Sequence, residues 1–547
     1  MKRSTTLLGY LAIAFVLILG CEPGTVDGTS TDAEFALVFP IEGGYVAGMR
    51  ADTNTQVSAF MGIPFAAPPV GDLRWKPPQP VVPWEGTTYE AVIPGPTCMQ
   101  APYPEGSVYW RPAEETSEDC LYLNVWTPAN SADETLPVMV WIHGGALTRG
   151  SGSLDVYDGT NLAATQDVVV VTVNYRLNVF GYFSHPALSA ESENGASGNY
   201  GVLDQVAALQ WVQNNIGSFG GDPGNVTIFG ESAGSWSVNT LVASPLADGL
   251  FHKAIGQSGG AFRPLPRLSQ DLTGIPSGES AGRELAASLG IAENDTTLAE
   301  LRSLPATQLM EAAFEPGRFR TAVVIDGYSI TDDVFATFER QEQAAVPTML
   351  GSTADELTSF LGAADPPAGD FEAGARARYG ERADAFLALY PTDGDSAWRA
   401  TVDSGSDTTF ACQMRTWARY NAGLGQGTYL YSFSHAPPHP DKERLGAFHA
   451  AEIAYAFDNL DATGYEVDDV DRQLAKTMSS YWASFARTGV PTADGAPEWP
   501  AYDAETDAYL DLGSEITSGS NLRGAQCDFH DESDAMLRAS LGGGTPN

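Results

Sequence analysis

Lysine is nearly absent from this chain: five residues in 547, against 24 arginines. Lys and Arg together number 29 and Asp and Glu 69, which leaves a formal charge of −40. So acidic a surface repels phosphate backbones, which excludes nucleic acid as a partner, and attracts small cations instead. Cysteine is scarce too, at five residues, and neither C-x-x-C nor H-E-x-x-H occurs. His435 and His439 stand four apart, but Pro437 and Pro438 between them prevent one helical metal face. No metal and no cofactor are therefore expected. Long apolar runs are missing after the first twenty residues, so nothing later in the chain is expected to span a membrane. What is plentiful is core material. Hydrophobic residues make up 43% and aromatics 10%, which excludes a disordered chain.

The N-terminus reads as an export signal. Lys2 and Arg3 precede the apolar run Leu7–Leu19, too short for a bilayer and right for a secretory h-region. The run closes on Ile18-Leu19-Gly20-Cys21, which resembles the lipobox of bacterial lipoproteins, where cleavage precedes the cysteine and its thiol carries lipid. The expected layout is a signal peptide over 1–20, a flexible Gly/Thr/Ser/Asp tether over 21–34, one domain over 35–541 and a tail over 542–547. The protein is expected to be exported and held on the periplasmic or cell-surface side by lipid on Cys21. It is secreted if Cys21 is not acylated. With Cys21 set aside, Cys98, Cys120, Cys412 and Cys527 form an even set, enough for two disulfides with three pairings open.

Hydrophobic periodicity gives the fold class. Val138–Ile142, Val168–Val173 and Val226–Phe229 are short apolar runs rich in β-branched residues, and Val346–Leu350 and Tyr429–Phe433 add two more. Between the second and third, Val202, Val206, Leu209, Val212 and Ile216 recur at helical spacing, closed by Gly217. Strands alternating with helices predict an α/β protein with a large, mainly parallel sheet flanked by helices. Segments 262–320 and 362–405, rich in Ala, Gly, Pro and charge, are expected to cover the site rather than build the sheet.

Two motifs carry chemistry. Gly230-Glu231-Ser232-Ala233-Gly234 directly follows the strand Val226–Phe229, the context a G-x-S-x-G nucleophile elbow requires. Its glycines permit a tight strand-to-helix turn that lifts the serine to the top of the sheet, at a helix N-terminus. Earlier, His143-Gly144-Gly145-Ala146 follows the strand ending at Ile142, where a loop of small residues can aim backbone N–H groups at a developing oxyanion. With Ala233 after the serine, the expected oxyanion donors are Gly145, Ala146 and Ala233.

With these residues the chain resembles the type-B carboxylesterases and cholinesterases of the α/β-hydrolase fold, over nearly all of 35–541. The resemblance extends to Glu118-Asp119-Cys120-Leu121-Tyr122-Leu123-Asn124-Val125-Trp126, Asn174-Tyr175-Arg176, Gly198-Asn199-Tyr200-Gly201 with Asp204-Gln205, and Gln257-Ser258-Gly259. It implies helical and loop insertions over the active site and a triad of Ser232, Glu356 and His449. Glu356 matches the acid of the family's D-E-G motif, with Leu357 in place of the glycine and Asp355 as a rival. His449 matches the base within Gly446-Ala447-Phe448-His449-Ala450-Ala451-Glu452; His435 and His439 are rivals by distance alone. The order Ser, acid, His is the α/β-hydrolase order. The resemblance also picks the pairing Cys98–Cys120 and Cys412–Cys527.

The implied activity is hydrolysis of carboxylic esters through an acyl-enzyme, the substrate a small-molecule ester. An alternative is a choline-ester hydrolase. Trp110 resembles the tryptophan that holds choline's ammonium group in cholinesterases, Glu231 would add a negative charge, and Phe319 resembles an acyl-pocket aromatic. Gly317 would leave room for longer acyl groups, while Ser359 and Trp236 depart from the choline pattern. A non-catalytic adhesion module of the same family is the remote alternative, and the intact triad motifs argue against it.

Overall fold

The computed structural model describes residues 37–541, with 113, 363 and 364 excepted. The expected signal peptide, tether and Cys21, and the tail after 541, lie outside the described residues. The described residues from Leu37 to Leu541 belong to one compact unit.

Its centre is an eleven-stranded sheet. The strands are β1 (Met49–Arg50), β2 (Ser58–Pro64), β3 (Tyr122–Thr127), β4 (Leu136–Ile142), β5 (Val169–Val173) and β6 (Gly221–Glu231), then β7 (Lys253–Gln257), β8 (Thr348–Thr353), β9 (Thr428–Phe433), β10 (Ala508–Leu512) and β11 (Ile516–Ser520). Their order across the sheet is β11-β10-β9-β8-β7-β6-β4-β5-β3-β2-β1. Every pair from β10 to β5 is parallel, and antiparallel strands finish both edges. Each of the five apolar runs is a strand of this sheet. The centre is buried on both sides, and β5 is five buried residues out of five, which is why it reads as a continuous run rather than an alternating one.

Helices cover both faces, as alternation in β7 shows. Ile255 joins the core made with α4 (Asp469–Thr488) through Leu474, Met478, Trp482 and Phe485. On the other face, a Cβ on Gly256 would stand 2.7 Å from Trp417 of α3 (Cys412–Gly423) and 3.0 Å from the Ser235 hydroxyl of α2 (Ala233–Ala243). The helix predicted from Val202 to Ile216 is α1 (Tyr200–Asn215), followed by a 3₁₀ turn to Phe219. Its left-handed terminator is Gly220, at φ 77°, not Gly217.

Several shared motifs are structural joints. Arg176, after β5, makes a buried bidentate pair with Asp204 of α1, at 2.8 and 2.7 Å. Asn124 of β3 accepts from the Gly62 N–H at 2.9 Å and donates to the Thr172 hydroxyl at 3.0 Å, tying three strands through one side chain. Disulfides join Cys98 to Cys120 and Cys412 to Cys527. The second ties α3 to α5 (Gly524–Leu541) across 115 residues. Among the described residues no helix is long and apolar enough to cross a membrane.

Segments 262–320 and 362–405 contribute no strand to the sheet, but their place differs from the expectation. Residues 278–314 fold into three helices whose Leu285, Leu301 and Leu309 join Trp75, Phe183 and Tyr200 in a separate apolar cluster. Residues 368–389 pack through Phe371 and Phe386 on Phe529 of α5. Leucine and phenylalanine at helical spacing drew these segments onto cores of their own. Insertions do cover the cavity described next, but its lining comes mostly from 103–112 and 437–467, with Gly362 at the start of the second expected segment.

Candidate active site

β6 ends at Glu231, and Ser232 turns the chain into α2. Its backbone sits at φ 56° and ψ −122°, a conformation that L residues adopt at a cost of roughly 1–3 kcal/mol and that surrounding structure must impose. The imposing contacts are visible. The Ser232 N–H donates to the Gln257 carbonyl at 2.8 Å, and its carbonyl accepts the Trp236 N–H at 2.9 Å. A Cβ on Gly234 would run into the Ile142 carbonyl, and one on Gly230 would stand 2.6 Å from that oxygen. Both glycines of the pentapeptide are therefore demanded by the closeness of β4.

The oxyanion loop leaves β4 one residue later. Gly144 faces Glu231, where a Cβ would stand 2.7 Å from Oε2. Ala146 adopts φ 57°, a region that favours glycine, so the loop carries a methyl in a glycine-like conformation. The backbone N–H groups of Gly145, Ala146 and Ala233 make no hydrogen bond among the described residues. His143 anchors the loop. Its buried Nδ1–H donates to the Gly144 carbonyl at 2.8 Å and its ring stacks on Tyr175, whose hydroxyl donates to the His143 carbonyl at 2.7 Å. Burial pushes its pKa down to about 4, so it is a neutral donor and not a base.

His449 and Glu356 come from the far half of the chain. β8 delivers Asp355 and Glu356, and the loop after β9 delivers His449. Nδ1 of His449 hydrogen-bonds Glu356 Oε2, while Glu356 Oε1 accepts the Thr353 N–H at 2.9 Å. Asp355 is turned away, in an ion pair with Arg399 at 2.7 Å. Leu357 is in ordinary helical conformation, so the missing glycine of D-E-G was not needed for the backbone. His435 pairs with Asp471 at 2.7 Å, and the His439 ring accepts the Asp441 N–H; neither lines the cavity.

Sequence reasoning missed part of the electrostatics. Nε2 of His449 lies 3.0 Å from Oε1 of Glu231, so the ring stands between two buried carboxylates. Burial alone would push the imidazole toward neutrality, but Glu231 and Glu356 outweigh it and hold the pKa well above the usual value. Behind them Glu452 is fully buried, accepting from Gln257 at 3.1 Å, with Trp482 donating to Gln257 at 3.0 Å. Burial, reinforced by Glu231 and Glu356, pushes Glu452 up to about 8, so it is protonated at neutral pH. The only hint was the terminal glutamate of the histidine motif, which carries no role on its face. The His449 carbonyl accepts from Tyr109, whose hydroxyl also meets Ser359.

Ser232, His449, Glu231, Gly144, Gly145 and Ala146 line one cavity of about 970 Å³. Trp110 lines it as well, at the rim and 50% exposed. Phe319 and Gly317 do not. Phe319 packs toward Phe183, ring centroids 6.3 Å apart, because the neighbouring helical segment draws it into the separate cluster. Much of the apolar wall comes from 448–467: Phe448 lies within the histidine motif, while Ile453, Leu460 and Val467 lie beyond any motif. No group of three His, Cys, Asp or Glu side chains placed to hold a metal occurs among the described residues.

A strained serine at a strand–helix junction, a backbone donor loop beside it and a His–Glu pair across the cavity are the parts an acyl-transfer site requires. Comparison with known proteins agrees. The family model described as "Carboxylesterase family" matches residues 36–530. The "Fumonisin B1 esterase" of Sphingopyxis macrogoltabida is 37% identical, covering 95% of this chain and 94% of its own. The human "Cocaine esterase" is 36% identical over 87% of each chain. A solved "PNB esterase" structure superposes with TM-score 0.77 at 33% identity, over 94% of this chain and all of that one. The chain belongs to the carboxylesterase family, with its α/β-hydrolase fold, and is a serine carboxylesterase.

Proposed function

We propose that hydrolysis runs through an acyl-enzyme on Ser232, with His449 as the base and Glu356 as its orienting acid. Nε2 of His449 takes the Ser232 proton as Oγ attacks the ester carbonyl. The carbonyl oxygen becomes an oxyanion facing the unengaged N–H groups of Gly145, Ala146 and Ala233, each donor worth about 10²–10³ in rate. His449 returns the proton to the departing alcohol. Water then enters, gives its proton to the same nitrogen and attacks the acyl carbonyl, which frees the acid and Ser232. Glu356, accepting from Nδ1, holds the tautomer whose Nε2 carries no proton when the ring is neutral, and with Glu231 beside Nε2 it offsets the imidazolium charge.

The observation that carries this reading is the strained turn at Ser232 opening onto the cavity that also holds His449. The test is hydrolysis of 4-nitrophenyl acetate with labelling by a serine-directed phosphonate. Label on Ser232, absent from Ser232→Ala, supports it, and label on another residue refutes it.

Residues 1–20 as a signal peptide, 21–34 as a tether and 35–541 as the catalytic domain complete the proposal, with lipid on Cys21 as the only membrane attachment. The two disulfides suit an oxidising compartment. Mass spectrometry of detergent-extracted protein should find an acylated cysteine as the mature N-terminus, lost in Cys21→Ser. A soluble, unmodified N-terminus would refute the anchor.

A further inference from the structure

Two arginines line the cavity, Arg111 on the 103–114 segment and Arg149 just beyond the oxyanion loop. In a chain with 69 acidic residues, neither has an ion-pair partner among the described residues. Each is fastened by one edge only. Nε of Arg149 donates to the Ala101 and Pro102 carbonyls at 3.1 and 3.3 Å, and Nε of Arg111 to the Tyr109 carbonyl at 3.3 Å. Their terminal nitrogens make no hydrogen bond among the described residues. Both guanidinium carbons stand over the Tyr103 ring, at 5.7 and 5.8 Å, and Arg149 also lies 5.1 Å from the Phe314 ring. The Tyr103 hydroxyl lies beside the oxyanion loop, 3.1 Å from where a Cβ on Gly145 would stand.

This is a pre-oriented pair of forks. The ring contacts and the Nε bonds restrain each guanidinium, and the edge left without a hydrogen bond is the one that matches a carboxylate in bidentate fashion. The acids on the same wall do not use it. Glu114 accepts from the Thr97 hydroxyl at 2.7 Å, and Glu105 and Asp155 make no ion pair with either arginine. Burial lowers the Arg149 pKa with no carboxylate to offset it. We infer that Arg111 and Arg149, with the Tyr103 hydroxyl, form an anion subsite, and that the preferred esters carry a carboxylate away from the scissile bond. This rests on the esterase reading of the cavity, and it reverses the cationic preference that Trp110 suggested. Trp110 stands beside Arg111, and the Glu231 carboxylate is engaged with His449.

The experiment compares matched pairs that differ by one charge. 4-Nitrophenyl hydrogen glutarate against its methyl ester places the carboxylate on the acyl side. 4-Butyryloxybenzoate against its methyl ester places it on the alcohol side. In the wild type at least one anion should exceed its neutral partner in kcat/KM by about tenfold, chiefly through KM, as expected for a charge-assisted bidentate contact. In Arg111→Gln/Arg149→Gln the ratio should fall below one, because the remaining field of the chain is negative. Arg111→Gln alone, on a side chain with one 3.3 Å tether, serves if the double variant misfolds, and should lose part of the ratio. Neutral partners preferred in both wild-type pairs, or a ratio unchanged by the substitutions, overturns the subsite while leaving the esterase intact. Absence of hydrolysis of every ester, neutral ones included, overturns the esterase reading and the subsite with it.

Discussion

The floor of the cavity and its mouth are built by different means. The floor is backbone: glycines pressed against β4, a strained serine, donor N–H groups held by the loop from Ile142. The mouth is side chains outside the sheet: Tyr103, Trp110 and Arg111 on a loop and Phe360 on the short helix Thr358–Leu361, each replaceable without moving a strand. The floor sets the reaction and tolerates almost nothing, whereas the mouth sets the substrate and tolerates much. This division lets one fold serve esters as different as those named for its relatives.

The largest effect expected from breaking the floor is chemical. Ser232→Ala should cut kcat/KM by about 10⁴-fold or more, with thermal unfolding nearly unmoved. Full activity in that variant would mean another nucleophile. Next comes a floor substitution with no chemistry. In Gly234→Ala the new methyl runs into the Ile142 carbonyl, so β4 and α2 must part, and the loss should be roughly 2–4 kcal/mol of stability with activity lost alongside. Trp110→Ala, at the half-exposed rim, should cost less than about 0.5 kcal/mol. Equal unfolding midpoints for the two would erase the distinction between floor and mouth.

The Cys98–Cys120 disulfide tests the mouth as a unit, since the loop it closes carries Tyr103, Tyr109, Trp110 and Arg111. Cys98→Ser/Cys120→Ser should lose up to about 3 kcal/mol on the chain-entropy account of a 22-residue loop. Because the floor stays in place, KM should rise several-fold while kcat holds within about twofold. A collapse of kcat with KM unchanged would show that the loop supports the chemistry itself, through Tyr109 and the His449 carbonyl.

The same division explains what could be read from residues alone. Glycines at 144, 230 and 234 are forced by close approach, and a forced residue leaves a motif. The parallel strands are legible for a similar reason: burial on both faces leaves β5 no exposed position, and four of its five residues are valine. His449 and Glu356 were found only through the family's motifs, since 93 residues separate them and nothing periodic links them. Phe319 was misplaced because an aromatic beside a helix packs wherever a neighbouring core accepts it, here the cluster of Trp75 and Phe183. Arg111 and Arg149 escaped notice altogether. Their meaning lies in the absence of an ion-pair partner among the described residues, and a missing ion pair has no sequence signature.

The smallest effect sharpens the comparison through pH. His449 acts as a base only when neutral, so kcat/KM falls as pH drops through its pKa. Burial opposes its protonation, but Glu231 and Glu356 hold the pKa above the usual 6.5, so the acid limb should lie on the alkaline side of that value. Glu231→Gln removes one of the two charges and must move the limb toward acid. That variant should gain activity relative to wild type at the acid end, while its alkaline plateau changes only a few-fold, since the amide keeps the carboxylate's shape and still packs against Gly144. Arg111→Gln also changes one charge near the cavity, but at a mouth open to solvent and salt, and should leave the limb in place. The measurement is the kcat/KM profile of a neutral ester in all three proteins. If Glu231→Gln leaves the limb unmoved, Glu231 does not face the working imidazole. If Arg111→Gln moves it as far, floor and mouth share one electrostatic environment, and the separation between them is steric alone.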